Sequence, residues 1–368
     1  MGCGSQGETY RPMTTLTSPH DLLAAIPFLI GYHPTDSLVL VSLKGGAVAM
    51  AMRVDYPPVG QENISSADCD SLIAHLRRDG ADGALLVAYL PDGATAGEEV
   101  LDALGQGLAR EGIALNESLL ISKGKWRSTI CLDSICCPPQ GRELPEITSS
   151  RVAVEQVSNG HLMPFASAGD LADSIAPLPL AGDAQFLLDV SSFLIKEDDL
   201  EHALKQRAGA ISVIDLVSRF IAGSVGDNFE SEQKLSAKVI GSLSDIQVRD
   251  FALGSHTSAT QEIYWQMWRY LLRIAPAGFV APVASLLAAT SYEKGEGALA
   301  QRALDRAQAD SPNYSLAILL RRVFSAGWPP ESFAQMRKEL HPKVCAAIFD
   351  IHAGIQESAA VEKSPELA

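Results

Sequence analysis

Residues Ser18–Asp55 read SPHDLLAAIPFLIGYHPTDSLVLVSLKGGAVAMAMRVD, a helix, a turn and a β-hairpin in succession. Ser18 suits a helix N-cap and Pro19 the first helical position. Leu22, Leu23, Ile26, Leu29 and Ile30 then recur at helical spacing. Pro27 is expected to kink or shorten this helix, and Gly31 to stop it. Tyr32-His33-Pro34-Thr35-Asp36 is a turn built on Pro and Asp. Leu38–Leu43 is almost continuously apolar, the pattern of a strand buried on both faces. Gly45-Gly46 supplies the positive φ of a tight hairpin. Ala47–Asp55 alternates: Val48, Met50, Met52 and Val54 point one way, and Ala47, Ala49, Ala51 and Arg53 the other. That second, small face admits a close neighbour. Pro57-Pro58 ends the strand.

The residues that follow extend an α/β pattern. Ser65-Ser66 caps a helix to Asp79 whose apolar face is Cys69, Leu72, Ile73 and Leu76, which makes Cys69 a core residue. Ala84–Leu90 is an apolar run of strand length. After the turn Pro91-Asp92-Gly93-Ala94, Thr95 and Glu98 have capping-box spacing for a helix to about Arg110. Ser118–Ser122 reads as the next strand, completing a βαβ unit, and Lys125–Cys131 as another after a Lys-Gly-Lys turn. The expected organisation is a loose segment at 1–15, an α/β domain of about five strands at 16–137 and a Pro-rich linker at 138–147. An all-helical domain at 148–355 and a disordered tail at 356–368 follow.

In the helical part, helices are expected at 150–158, 168–175, 183–195, 198–208, 210–223, 231–243 and 246–254. Further ones are expected at 259–274, 279–293, 296–309, 313–326, 330–339 and 341–355. One hairpin resembles a tetratricopeptide repeat: Leu287-Ala288, Ala300, Leu304, Ala307 and Pro312 fall at that motif's spacing, with Tyr292 one place off. No such period recurs along the chain, so it is one layer of a bundle and not a solenoid.

Bulk composition excludes several functions. The chain has 368 residues, 47% hydrophobic and 6% aromatic, with net charge −15 and a pI near 4.9. Such an acidic surface repels phosphate backbones and anionic membranes, so no nucleic-acid partner is expected. No apolar run spans a membrane; Gly278–Ala289 is too short and holds Pro282. The opening residues lack a signal peptide's basic and apolar regions, and Gln6 breaks the myristoylation pattern. Six cysteines in so long a chain fit a reduced, cytoplasmic protein.

Several segments together resemble a known family, the actinobacterial proteins designated domain of unknown function 4192. The resemblance runs from about Leu16 to Pro330. Its segments here are Leu16-Thr17-Ser18-Pro19-His20-Asp21-Leu22-Leu23-Ala24-Ala25-Ile26-Pro27, Gly31-Tyr32-His33-Pro34 and Asp36-Ser37-Leu38-Val39. Trp126, Ser128, Cys131, Asp133, Cys136-Cys137-Pro138 and Gly141 also match, as do Val248-Arg249-Asp250, Trp268 with Ala275-Pro276, and Gly297-Ala298-Leu299-Ala300 through Tyr314-Ser315-Leu316-Ala317 to Gly327-Trp328-Pro329-Pro330. The resemblance implies no activity.

Three groups of residues are candidate sites. Cys131, Cys136 and Cys137 lie within seven residues of one another, with Asp133 between them. Thiolates suit zinc, yet a structural zinc site takes four ligands in C-x₂₋₄-C pairs, and the spacing here is C-x₄-C-C. A zinc site, a reactive or redox thiol, buried or incidental thiols and, in an oxidising compartment, a disulfide from Cys131 to Cys136 or Cys137 are the competing readings, and the spacing favours buried or incidental thiols. His33, Asp36 and Ser37 invite a hydrolase reading, but three residues so close in sequence rarely converge as a triad, and no G-x-S-x-G elbow exists. Side-chain bonds from Thr35 and Asp36 to the local backbone are the default there. Asp92 and Thr95 lie where a buried strand meets a helix N-terminus, an edge that favours anionic ligands, but neither nucleotide fingerprint is present. The cluster Tyr264, Trp265, Trp268 and Tyr270 reads as core. Negative findings and the tetratricopeptide-like hairpin make a non-enzymatic interaction or regulatory protein, with a protein partner, the leading reading. A small-molecule-binding or enzymatic α/β domain is the alternative, with its site between the His33–Asp36 turn and the Pro91–Thr95 turn.

Overall fold

In the computed structural model, residues 16–60, 64–196, 201–223 and 229–349 are described. The chain divides into two compact units between Leu171 and Ala172.

The first unit opens with helix α1 (Pro19–Ile30). The Ser18 Oγ accepts a hydrogen bond from the Asp21 N–H at 3.2 Å, as its N-cap. The helix continues through Pro27 to Ile30, where the Gly31 N–H (φ 93°) donates to the Pro27 carbonyl at 2.7 Å. Strands β1 (Ser37–Lys44) and β2 (Ala47–Asp55) form the expected hairpin, with positive φ at Gly45 and Gly46. Helix α2 (Ser66–Asp79), strand β3 (Gly83–Tyr89), helix α3 (Gly97–Arg110) and strand β4 (Ala114–Ser122) follow, and β4 runs parallel to β3. Strand β5 (Lys125–Ser128) returns antiparallel, and β6 (Arg142–Glu143) pairs with β5. The six-stranded mixed sheet has the order β2-β1-β3-β4-β5-β6.

Register decides what each face buries. Leu38 and Leu40 stand beside Val54 and Met52 on β2 and beside Ala88 and Leu86 on β3. This face forms one core with Cys69, Ile73 and Leu76 of α2 and Val100, Leu101, Leu104 and Leu108 of α3. Val39 and Val41 stand beside Arg53 and Ala51 on the opposite face. Helix α1 contacts β2 but shares no residue with the α2–α3 core, which places it over the small-residue face.

Four local expectations change. Helix α3 starts at Gly97, one residue later than the Thr95 cap implies, with Ala96 in the cap position, and Glu98 pairs with Arg127. Strand β5 stops at Ser128 because its Oγ accepts from the N–H groups of Ile130 (3.3 Å) and Cys131 (3.1 Å), which turns the chain. The segment read as a linker carries β6: the Gly141 N–H (φ 75°) donates to the Pro138 carbonyl at 2.8 Å and sends Arg142 back to Trp126. Helix α4 (Arg151–Ser158) belongs to the first unit, where Val152 packs on Ala24 and Ala25, and Arg151 pairs with Asp21 at 3.0 Å. Helix α5 (Ala168–Asp173) lies at the division between the units.

The second unit is helical: α6 (Ala184–Ser192), α7 (His202–Ile221), α8 (Phe229–Ser242), α9 (Ile246–Gly254), α10 (Gln261–Ile274), α11 (Val280–Glu293), α12 (Gly297–Asp310), α13 (Ser315–Ser325) and α14 (Pro330–Phe349). Two expected breaks are absent. Helix α7 runs through Gly209, whose missing Cβ would sit 2.8 Å from the Ser242 Cβ, so the glycine serves close packing instead of ending the helix. Helix α14 runs through Pro342. Tyr264, Trp265 and Trp268 are core residues, as read.

Helix α11 is buried on every side from Val280 to Ser291. Phe279 gives it no side-chain cap. Asp310, at the end of α12, supplies one: its carboxylate accepts from the N–H groups of Gly278 (2.6 Å), Val280 (3.0 Å) and Ala281 (3.1 Å). At the other end, Glu293 accepts two hydrogen bonds from the Arg337 guanidinium at 2.7 and 3.0 Å and one from His256 Nε2 at 2.9 Å. Arg337 also donates to the carbonyls of Gly254 and His256. Burial raises the Glu293 carboxyl, but the hydrogen bonds from His256 and Arg337 outweigh it and hold it below the usual range. Burial lowers His256 more than Glu293 supports it. A neutral imidazole with its proton on Nε2 fits both this shift and the unpartnered Nδ1.

Arg337→Met strands the Glu293 carboxylate in the interior, and urea unfolding should show a loss of about 3–5 kcal/mol. Both shifts are downward, so the stability they contribute is present at neutral pH. It should fall first below the ordinary histidine value of 6.5 and again below the ordinary glutamate value of 4.5. Urea midpoints that stay level from pH 7 to pH 4 would contradict this account.

Candidate functional site

A cleft of about 300 Å³ opens in the first unit at one edge of the sheet. Its floor is set by strand direction. The parallel strands β3 and β4 end there at Tyr89-Leu90 and Ile121-Ser122, while β1 begins beside them, with Ser37 opposite Tyr89. The carboxyl ends of parallel strands are the usual ligand crevice of an open α/β sheet. Leu23 and Pro27 of α1, Pro34, and Leu144 and Ile147 after β6 complete an apolar lining. His33, Thr35, Asp36, Tyr89, Ser122 and Lys123 supply the polar groups. An apolar cavity with a few convergent polar groups is the composition of a small-molecule site.

The cleft brings together two of the four ligand candidates read from the sequence. His33 and Asp36 line it; Asp92 and Thr95 are exposed and do not. The second wall is the β4–β5 turn, Lys123-Gly124, and not the Pro91–Thr95 turn. His33 is fixed by its backbone: its N–H donates to the Phe165 carbonyl at 3.0 Å, next to the bridge between Tyr32 and Phe165. Asp36 also acts through its main chain. It sits at φ 45°, and its carbonyl accepts from the Tyr56 N–H at 2.9 Å, at the start of the hairpin. The Ser37 Oγ is buried and has no hydrogen-bond partner among the described residues, so His33, Asp36 and Ser37 form no triad. Burial raises the Tyr89 phenol, which keeps it a neutral donor at physiological pH.

Among the described residues, Asp36 and Lys123 are the two non-glycines with positive φ, 45° and 51°, and both line this cleft. Lys123 and Gly124 (φ 75°) together make a two-residue hairpin turn of the I′ kind. The sequence shows that turn, but its place on the cleft depends on strand order.

The cysteine loop leaves the opposite end of β5. The Sγ atoms of Cys131, Cys136 and Cys137 lie within 4.8 Å of one another, and among the described residues no fourth His, Cys, Asp or Glu joins them. Cys136 is exposed, and Cys131 and Cys137 are half-buried. Burial, reinforced by the contact with the Cys131 thiol, pushes the Cys137 thiol up to about 11.

Comparison with known families places the chain. A family model described as domain of unknown function (DUF4192) matches residues 19–331. The chain belongs to the DUF4192 family. The DUF4192 match begins at the first residue of α1 and includes the cleft, the cysteine loop and most of the helical unit. Neither a curated protein nor a solved structure matches the chain.

A lysine at φ 51° pays a conformational penalty that asparagine largely avoids. Lys123→Asn is therefore expected to stabilise the chain by about 0.5–1 kcal/mol, and Lys123→Val to destabilise it by about 1 kcal/mol or more. Chemical denaturation of the full chain measures both. Equal stability of the two variants would refute the turn geometry.

Proposed function

We propose that the α/β unit of this DUF4192 protein binds a small molecule in the cleft between the His33–Asp36 turn and the Lys123-Gly124 turn. The observation that carries the reading is that Asp36 and Lys123, the two positive-φ non-glycines among the described residues, both lie on that cleft. Strained backbone held in place by its surroundings concentrates at ligand sites. The lining selects a molecule with an apolar body, against Leu23, Pro27 and Ile121, and a polar end that bonds Asp36, His33 and Lys123.

A second reading keeps the partner-binding role expected from the sequence. Leu204, Ile211, Ile214 and Ile221 are exposed along one side of α7, at intervals of seven, three and seven residues. An apolar stripe of this kind favours a helical protein partner. In the α11–α12 hairpin the tetratricopeptide-like positions Leu287, Ala288, Ala300, Leu304 and Ala307 are all buried.

A thermal-shift screen of a metabolite library against the full chain separates the two readings. A cleft ligand at a hundred times its Kd stabilises the protein by about 2.7 kcal/mol. Leu144→Trp, at a half-exposed position on the cleft rim, should fill the cleft and abolish the shift while leaving the unliganded protein folded. Ligands that stabilise the wild type and Leu144→Trp equally would exclude the cleft as the site.

A further inference from the structure

The loop from Cys131 to Cys137 holds three thiols together without a core to bury them. The contrast with Cys69 is direct: Cys69 is 2% exposed and packed among α2, α3 and the sheet, whereas Cys136 is exposed. Apolar packing does not shape the loop either, since Leu132 is 97% exposed and Ile135 85%. Hydrogen bonds shape it. The Asp133 carboxylate accepts from the N–H groups of Ile135 (2.8 Å) and Cys136 (3.3 Å), and the Asp133 carbonyl accepts from the Cys137 N–H at 2.7 Å. Arg142 reaches back from β6 and donates to the carbonyls of Cys136 (2.6 Å) and Ile135 (2.7 Å). At the other end, the Cys131 N–H donates to the Ser128 Oγ, which itself donates to Glu117 at 2.7 Å. The backbone is thus fixed by Asp133, Arg142 and Ser128, and the three thiols lie against one another, with Cys137 in contact with both Cys131 and Cys136.

We propose that Cys131, Cys136 and Cys137 form a three-thiolate binding site for Zn²⁺, with a fourth coordination position open to solvent. Around tetrahedral zinc, with Zn–S near 2.3 Å, ligand sulfurs lie about 3.8 Å apart. The Sγ atoms already lie within 4.8 Å of one another, so small side-chain rotations complete the set. Thiolates select soft and borderline cations over Mg²⁺ or Ca²⁺. Binding is an acid–base exchange without electron transfer: each thiol gives its proton to water as its sulfur takes the metal. Three protein ligands and one open position are the arrangement of a site that exchanges a water or takes up an exogenous ligand. The site is separate from the cleft and stands whether or not the cleft binds a small molecule.

The test uses untagged, full-length protein, reduced and stripped of metal, titrated with Zn²⁺ against a chromophoric chelator. One Zn²⁺ per chain is expected. Cys131→Ser, Cys136→Ser and Cys137→Ser should each weaken it by about a hundredfold or more, while Cys345→Ser leaves it unchanged. Co²⁺ substitution gives a readout independent of folding losses in the variants: the wild type should show thiolate-to-metal charge-transfer absorption together with tetrahedral visible bands. Zn²⁺ should also protect these three cysteines from alkylation, as mapped by peptide mass spectrometry. Absence of stoichiometric Zn²⁺ uptake by the reduced protein overturns the proposal. So does uptake that the three substitutions leave intact, or a disulfide within the trio that persists in glutathione.

Discussion

The first unit depends on covering both faces of β1. Residues Ser37–Leu43 are all buried, and the strand is hydrogen-bonded to β2 on one side and β3 on the other. Each fully buried Val or Leu side chain contributes about 1.5–3 kcal/mol relative to exposure, so leaving either face open is not an available solution. The α2–α3 layer covers Leu38 and Leu40, and α1 the face of Val39 and Val41. The small alanines of β2 let α1 approach, and that approach brings Leu23 and Pro27 to the rim of the cleft. Of the two buried serines of the strand, Ser42 donates to Asp79 at 2.7 Å, and Asp79 also pairs with Lys44 at the hairpin end. Strand order, cleft and hairpin anchoring therefore follow from one buried strand.

In the second unit the corresponding element is α11. A helix buried all round satisfies its interior N–H and C=O groups by itself but leaves its ends to its neighbours. Asp310 serves the N-terminal end and the Glu293–Arg337–His256 network the other. Along its length, Ser291 accepts from the Trp265 indole at 3.0 Å, which fixes the rotation of α10 against it. An aliphatic cluster accepts many rotations of one helix about another; these polar contacts accept one. They specify the arrangement more than they stabilise it, since a buried ion pair rarely outperforms a well-packed apolar substitute.

What the sequence made legible, and what it did not, divides along periodicity. Helix α2 and strand β2 are readable from a 3.6 and a 2.0 repeat, and β1 and β3 from continuous apolar runs of strand length. Strand β6 has two residues and no period, so Arg142-Glu143 looked like linker. The break at 209, between the expected helices 198–208 and 210–223, follows the local preference of Gly209, which tertiary contact with Ser242 overrides; the break at 340 is bridged by the continuous α14. Among site residues, His33 and Asp36 were visible through turn chemistry, and the three cysteines through clustering. Lys123, Tyr89 and Leu144 were not, because only the order of strands brings them to the same edge. Asp92 and Thr95 lie at a strand end, where ligands favour an α/β sheet, but the turn that shares the cleft is Lys123-Gly124, the next one along the sheet.

One short strand joins the two candidate sites. Strand β5 begins at the Lys123-Gly124 turn, which walls the cleft, and ends at Ser128, which holds the start of the cysteine loop. Its partner β6 repeats the connection: Arg142 clamps the carbonyls of the cysteine loop, and Leu144, whose N–H donates to the Gly124 carbonyl at 3.1 Å, lines the cleft. Two residue pairs, Lys125 with Glu143 and Trp126 with Arg142, are the whole β5–β6 ladder. So small a ladder gains little from its own pairing, and its order depends on what fixes its two ends. On the cysteine-loop side Arg142 holds the carbonyls of Ile135 and Cys136, and on the cleft side the Leu144 N–H holds the Gly124 carbonyl.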